Sequence, residues 1–144
     1  MQKLFFVLFV LSIHAFAQDG FTNKDEAENK LIGKLKEGKW IEYKDSLGKP
    51  TSKDSATFYH LVIYNKNIAT GIGRDYYVSG KLQNEHTYLN GLKNGESKWY
   101  YEDGKLFADA IYKEDKRIGI SKWYFKSDNL KEEAIYIDGK RKGI

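Results

Sequence analysis

The chain has 144 residues, a formal net charge of +4, one proline and no cysteine. The absence of cysteine excludes disulfide bonds, thiolate metal sites, a cysteine nucleophile and a lipid-modified cysteine. Aromatic residues make up 15% of the chain, so it can bury enough apolar surface to offset the entropy cost of folding and is not disordered throughout. The length suits a single domain.

The first 17 residues have the layout of a secretory signal peptide. Lys3 supplies a positive charge, residues 4–13 form an apolar run, and a small-residue pattern ends at Ala17. The apolar run is about half of the roughly 20 residues that a spanning helix needs. We therefore expect cleavage after Ala17 and export to the periplasm or the medium. A short membrane anchor or a buried helix is the alternative.

Two less regular segments follow. Residues 18–37 are mostly charged, and Asn23 with Glu26 three positions later predicts a short helix. Residues 38–70 hold two strand patterns separated by a polar insertion at 44–57, which contains the proline and is predicted to be a surface loop. We interpret 38–70 as a divergent first copy of the repeat that follows.

A 24-residue repeat dominates the rest of the chain. Its copies occupy residues 71–94, 95–118 and 119–142, and residues 143–144 begin a further row. Five columns agree without gaps: Gly71, Gly95 and Gly119; Tyr76, Tyr100 and Tyr124; Tyr77, Tyr101 and Phe125; Leu82, Leu106 and Leu130; Tyr88, Tyr112 and Tyr136. Repeats of this length indicate a stacked repeat architecture.

Each copy contains two turn signals about 11 residues apart. Asp103-Gly104 is one of the first kind, and Asn90-Gly91 is one of the second. Such pairs favour type I′ turns between paired strands. The segments between them are aromatic-rich and too short for helices. We therefore predict an all-β fold: a single, elongated antiparallel meander of stacked hairpins, after a short irregular or helical N-terminal segment.

Two-residue turns also predict which residues face each other. They place Tyr101 opposite Leu106, and Trp99 opposite both Ala108 and Leu82. The same register brings opposite charges together in every copy, which supports it. The predicted charge pairs are Arg74 with Glu85, Lys98 with Asp109, and Lys122 with Glu133.

Alternation of side chains along a strand then assigns two faces. The face predicted to be buried carries Trp99, Tyr101, Leu106, Ala108, Ala110, Tyr112, Trp123, Phe125, Leu130, Ala134 and Tyr136. The face predicted to be solvated carries Lys98, Tyr100, Asp109, Lys122, Tyr124 and Glu133.

The pattern G-x-x-K-W-Y-Y-x-x-G-K-L-x-x-x-x-x-Y-x-x-G, read at residues 95–115, resembles the MORN-repeat variant of many bacterial exported proteins. Its residues are Gly95, Trp99, Tyr100, Tyr101, Gly104, Lys105, Leu106 and Tyr112. The resemblance covers 71–144 well and 38–70 loosely, and it departs where Asp115 and Asp128 replace turn glycines. It implies stacked hairpins, a role in membrane or protein interaction and, for some members, antitoxin or immunity-like partnership.

The sequence offers little chemistry. His60 and His86 are both expected on the buried face without a spaced ligand or an orienting acid. Ser-His-Asp sets and phosphate loops are not found. We therefore expect no enzymatic activity, no cofactor and no metal site.

The function predicted from the sequence is that of an interaction scaffold for a protein or an envelope component. Its predicted contact residues on the solvated face are Tyr76, Tyr100 and Tyr124 with Lys98 and Lys122. The alternative is weak binding to an anionic membrane surface through Lys140, Arg141 and Lys142. Nucleic acid is not an expected partner, because acidic and basic residues alternate and no basic stripe is present.

Overall fold

The computed structural model describes residues 20–142, which form one ten-stranded antiparallel sheet. Each strand pairs with the next one along the chain, so the predicted all-β meander is confirmed. The signal peptide predicted over 1–17 lies outside the described residues. The strands are β1 Lys30–Ile32, β2 Leu35–Lys44, β3 Phe58–Asn65, β4 Ile68–Tyr77, β5 Leu82–Leu89, β6 Leu92–Tyr100, β7 Leu106–Lys113, β8 Lys116–Tyr124, β9 Leu130–Ile137 and β10 Lys140–Arg141.

The segment before the sheet is mostly irregular. A single 3₁₀ turn spans Lys24–Glu26, and the Asn23 side chain caps it by accepting a hydrogen bond from the Asp25 backbone N–H. The helix expected at this point is therefore reduced to one turn. The polar insertion connects β2 and β3 as a loop that includes a second 3₁₀ turn at Lys53–Ser55.

The predicted charge pairs are confirmed as directly opposed residues. They form one row across the sheet in which basic and acidic residues alternate from strand to strand. The row consists of Arg74, Glu85, Lys98, Asp109, Lys122 and Glu133.

The register close to the first turn of each copy differs from the prediction. Leu106 faces Tyr100, and not Tyr101. The cause is a three-residue turn, in which the Gly104 N–H donates to the Tyr101 carbonyl at 2.9 Å and Gly104 has a φ of 89°. A left-handed residue at this place is typical of three-residue hairpin loops.

A bulge one residue further on restores the predicted register. Phe107 is the additional residue, so Trp99 faces Ala108 as predicted. Leu106 consequently lies on the same face as Tyr100, and Leu130 lies with Tyr124. Their placement beside the tryptophans was wrong, because the sequence pattern does not reveal the bulge.

The glycine column of the repeat produces a second bulge. Gly95 has a φ of 120° and lies where the pairing of β5 with β6 shifts. Trp99 therefore faces Asn84, and not Leu82 as expected. The shift is two residues, so this second bulge does not move the side chains of β6 to the other face.

The second turns connect successive copies. Asn90 and Gly91 both have positive φ, as the predicted type I′ turn requires, and Glu114 and Asp115 adopt the same conformation without glycine. Asp115 offsets the absence of glycine in this turn with two hydrogen bonds to the backbone of Lys93. Its N–H donates to the Lys93 carbonyl at 3.0 Å, and its Oδ1 accepts from the Lys93 N–H at 2.8 Å.

Replacing Asp115 with alanine should therefore lower the free energy of unfolding by roughly 1–2 kcal/mol. The variant loses the hydrogen bond from the Lys93 N–H. Alanine also lacks the short polar side chain that lets aspartate adopt the left-handed conformation at low cost. Asp115→Asn is the control, because asparagine keeps the acceptor and tolerates this conformation; we expect a change below about 0.5 kcal/mol. Urea unfolding at constant pH measures both, and equal losses would contradict the assigned contact.

The sheet has two chemically different faces. We call the side that carries Trp40, Trp99 and Trp123 the tryptophan face, and the other side the isoleucine face. Small residues are buried on the tryptophan face, as predicted for the alanines, while Trp99 and Trp123 on the same face are half-buried. These small residues are Ser97, Ala108, Ala110, Ser121 and Ala134.

The main apolar core lies on the isoleucine face, which the sequence predicted to be solvated. Phe21, from the irregular N-terminal segment, packs there and is only 5% exposed. It covers β3 and β4, so Leu61 is fully buried and Tyr59 stacks on Tyr76 with ring centroids 5.2 Å apart. The prediction is wrong for this part of the face, because the covering segment carries no repeat pattern.

Candidate functional site

The predicted contact tyrosines lie on the isoleucine face in unequal environments. Tyr76 is buried beneath Phe21 and presents no surface to a partner. Tyr100 is half-buried, and its hydroxyl donates a hydrogen bond to the Glu85 carboxylate at 3.0 Å. Burial and this carboxylate raise the pKa of Tyr100 to about 12. Tyr124 makes the equivalent bond to Asp109 at 2.9 Å.

A groove lies on this face, and Asp109, the hydrogen-bond partner of Tyr124, lines it. Its volume is about 510 Å³, within the roughly 300–1,000 Å³ of ligand pockets. Two acidic and two basic side chains line it together with two isoleucines, so its charge is balanced. The groove brings the predicted residues Lys98 and Lys122 together with Glu96, Asp109, Ile111 and Ile120.

Isoleucines remain accessible in this part of the sheet. Ile111 is 46% exposed, Ile120 is 49% exposed and Ile135 is 50% exposed. Ile63, on the same face under the N-terminal segment, is 7% exposed. The face therefore changes from covered to open between β4 and β6. In the sequence, the only sign of this open apolar surface is that isoleucines occupy strand positions on the face that was predicted to be solvated.

A second polar cluster lies on the tryptophan face and was missed by the sequence interpretation. Asp75 faces His60 across β3 and β4, and His60 Nδ1 lies 2.8 Å from Asp75 Oδ1. Burial alone would raise the pKa of Asp75, but His60 and Lys44 outweigh it and lower this pKa to about 2. The expectation that His60 lacks an orienting acid was therefore wrong. One sign of this cluster was present in the sequence, because Asp75 occupies the repeat position that holds Trp99 and Trp123 in the later copies.

His86 extends this cluster. It is buried on the tryptophan face, as predicted, and its Nε2 lies 3.2 Å from Lys93 Nζ, while Nδ1 has no partner among the described residues. Burial, followed by the positive charge of Lys93, lowers the pKa of His86 to about 3. Burial also lowers the pKa of Lys93. His86 is thus neutral in the folded protein at neutral pH.

These buried histidines do not form a catalytic arrangement. His60 packs edge-on against the Tyr88 ring, with centroids 6.3 Å apart, and a β-carbon at Gly73 would lie 3.0 Å from the His60 ring. A general base must come within hydrogen-bond reach of a substrate, which this packing prevents. Within residues 20–142, no cluster of three or more His, Asp or Glu residues is arranged to hold a metal ion.

The Arg117 side chain packs on the tryptophan face between neighbouring copies of the repeat. Its guanidinium lies over four aromatic rings at 5.3–5.7 Å from their centroids, and Nε donates to the Tyr112 hydroxyl at 3.0 Å. Cation–π contacts of this kind stabilise packing between the repeats. The four rings belong to Trp99, Tyr112, Trp123 and Tyr136.

The predicted anionic-surface residues lie at the end of the sheet. Lys140, Arg141 and Lys142 are exposed, and Arg141 is paired with Glu132, which reduces its free charge. Over the part of the chain that the structure describes, no helix has the length and apolar character needed to cross a bilayer.

Comparison with known proteins agrees with this geometry. Residues 69–90, 93–114 and 117–138 each match the MORN repeat variant. Residues 69–138 are therefore similar to three consecutive MORN repeats. The matched MORN units begin 24 residues apart, as the sequence period requires. No curated protein and no solved structure gives a significant match. MORN repeats are a non-catalytic repeat type and are generally modules for protein or membrane interaction.

Proposed function

We propose that this chain is a non-enzymatic, exported interaction module that binds another protein through the open part of its isoleucine face. The observation that carries the proposal is the half-exposed row of Ile111, Ile120 and Ile135 around a groove. Contiguous apolar surface of this kind marks interaction sites on soluble proteins. The N-terminal sequence supports export, and sequencing of the mature protein should begin at Gln18.

The charges of the groove favour a protein over a lipid surface. Lys98 and Lys122 alternate with Glu96 and Asp109 along its walls. Anionic membranes select clusters of basic residues, which this groove does not provide. A mixed polar rim around an apolar centre is the usual composition of a protein interface.

Site-specific photocrosslinking tests this function. The crosslinker p-benzoylphenylalanine is placed at Ile120 and, as a control, at Leu47, which is 76% exposed in the loop between β2 and β3. In extracts of the producing cells, position 120 should give one discrete adduct with a protein that mass spectrometry identifies. Excess wild-type protein should compete for it, whereas excess Ile120→Lys protein should not. No adduct, or the same adduct from position 47, would reject the function.

A further inference from the structure

The groove on the isoleucine face is a repeated version of the site that Phe21 already occupies. Two repeats separate the sites, and several residues around Phe21 have counterparts in or beside the groove. Tyr59 is an exception, because its counterpart Phe107 packs against Tyr101 instead. The pair Leu61 and Arg74 faces across β3 and β4 as Asp109 and Lys122 face across β7 and β8. Further counterparts are Ile63 and Ile111, Ile72 and Ile120, and Tyr76 and Tyr124.

The first site shows what kind of segment this surface accepts. The Phe21 ring enters the apolar cluster, and its carbonyl accepts a hydrogen bond from Arg74 Nη1 at 3.4 Å. Gly20 lies so close to β4 that a β-carbon there would be 1.8 Å from the Ile72 carbonyl oxygen. The bound segment is irregular backbone with one aromatic anchor, and it is not an added strand.

We propose that the groove binds an irregular peptide segment of a partner protein that carries a phenylalanine-sized anchor. The anchor lies between Ile111 and Ile120, and Lys122 donates to the backbone carbonyl beside it, as Arg74 does at the first site. This inference rests on the proposed protein-binding function and specifies the chemistry of the partner.

The two sites differ at several positions, and one of these differences makes the groove more polar. Leu61 at the first site becomes Asp109 in the groove, whose carboxylate accepts a hydrogen bond from Tyr124. The groove floor is therefore more polar than the Phe21 site. A free peptide binds a half-exposed site of this kind weakly, because ordering the peptide costs entropy.

A peptide of this chain's own covering segment, GFTNKDEAEN, is the probe. It is labelled with a fluorophore at its C-terminus and titrated into the full chain, with anisotropy as the readout. The Phe21 site of the full chain is already occupied in cis, so saturable binding reports on the groove. We expect a dissociation constant below about 1 mM, weakened at least about tenfold in Ile120→Lys and unchanged in the equally charged Leu47→Lys control.

The same peptide with alanine in place of phenylalanine should bind at least about tenfold more weakly. Absence of saturable binding would overturn the inference, as would binding that is indifferent to Ile120→Lys or to the loss of the phenylalanine. If the peptide does not bind while the crosslink from position 120 forms, the partner is recognised differently and the protein-binding function stands. If neither is observed, both proposals are wrong.

Discussion

Replacing Phe21 with alanine should lower the free energy of unfolding by roughly 3 kcal/mol, at the lower end of the 3–5 kcal/mol typical of phenylalanine in cores. Phe21 is the buried side chain that the irregular segment adds to the core, where Ala27 packs at its edge, and the removal of Phe21 exposes Leu61 and Tyr76. Urea unfolding monitored by circular dichroism measures the loss. A second expected sign is increased proteolysis before β1.

Phe125→Ala provides the matched control. Phe125 is 49% exposed at a turn, so its removal should cost less than about 1 kcal/mol. Equal losses for the two variants would contradict the role assigned to the N-terminal segment. If the Phe21→Ala protein does not fold, Phe21→Leu should fold with a smaller loss, because leucine refills most of the site.

Acidification should destabilise the protein through His86. Its folded-state pKa of about 3 lies below the ordinary value of 6.5, so the unfolded chain binds a proton that the folded protein excludes. The stability from the neutral form is complete above pH 6.5 and is lost as the pH falls towards 3. Each pH unit costs up to about 1.4 kcal/mol, so we expect a loss of roughly 2–3 kcal/mol between pH 6.5 and 4.5.

The His86→Val variant should show a much flatter profile over this interval. Valine is the residue 24 positions earlier in the chain, at Val62, which is fully buried. Asp75, with its lowered pKa of about 2, contributes only below pH 4 and leaves this window unaffected. Unfolding curves at pH 6.5, 5.5 and 4.5 make the comparison. The same pH dependence in both proteins would show that another group is responsible.

The sequence predicted the regular part of the fold because that part is local and repeated. Strand alternation and turn chemistry determined the pairing of Lys98 with Asp109 and the faces of Trp99 and Ala108. The face of Leu106 was predicted wrongly for a local reason. The three-residue turn shifts the register by one residue, and the bulge at Phe107 restores it further along the strand. A pattern of residue types does not distinguish this arrangement from a two-residue turn.

The candidate site was less predictable because it depends on contacts between distant residues. Phe21 covers Tyr76 across more than fifty residues of sequence, and nothing near Phe21 marks it as a core residue. The His60–Asp75 pair follows from the cross-strand register, which is harder to read from the less regular sequence of residues 38–70. Lys98 and Lys122 were predicted to form part of the contact face, but the isoleucines between them were not.

The N-terminal segment covers the isoleucine face at Ile63 and leaves Ile111, Ile120 and Ile135 accessible. Methyl NMR with a soluble paramagnetic agent measures this directly. The δ-methyl signals of the latter three should broaden strongly while that of Ile63 remains sharp, and Phe21→Ala should broaden Ile63 alone. Similar broadening of all four isoleucines in the wild-type protein, or protection of Ile120, would contradict the account.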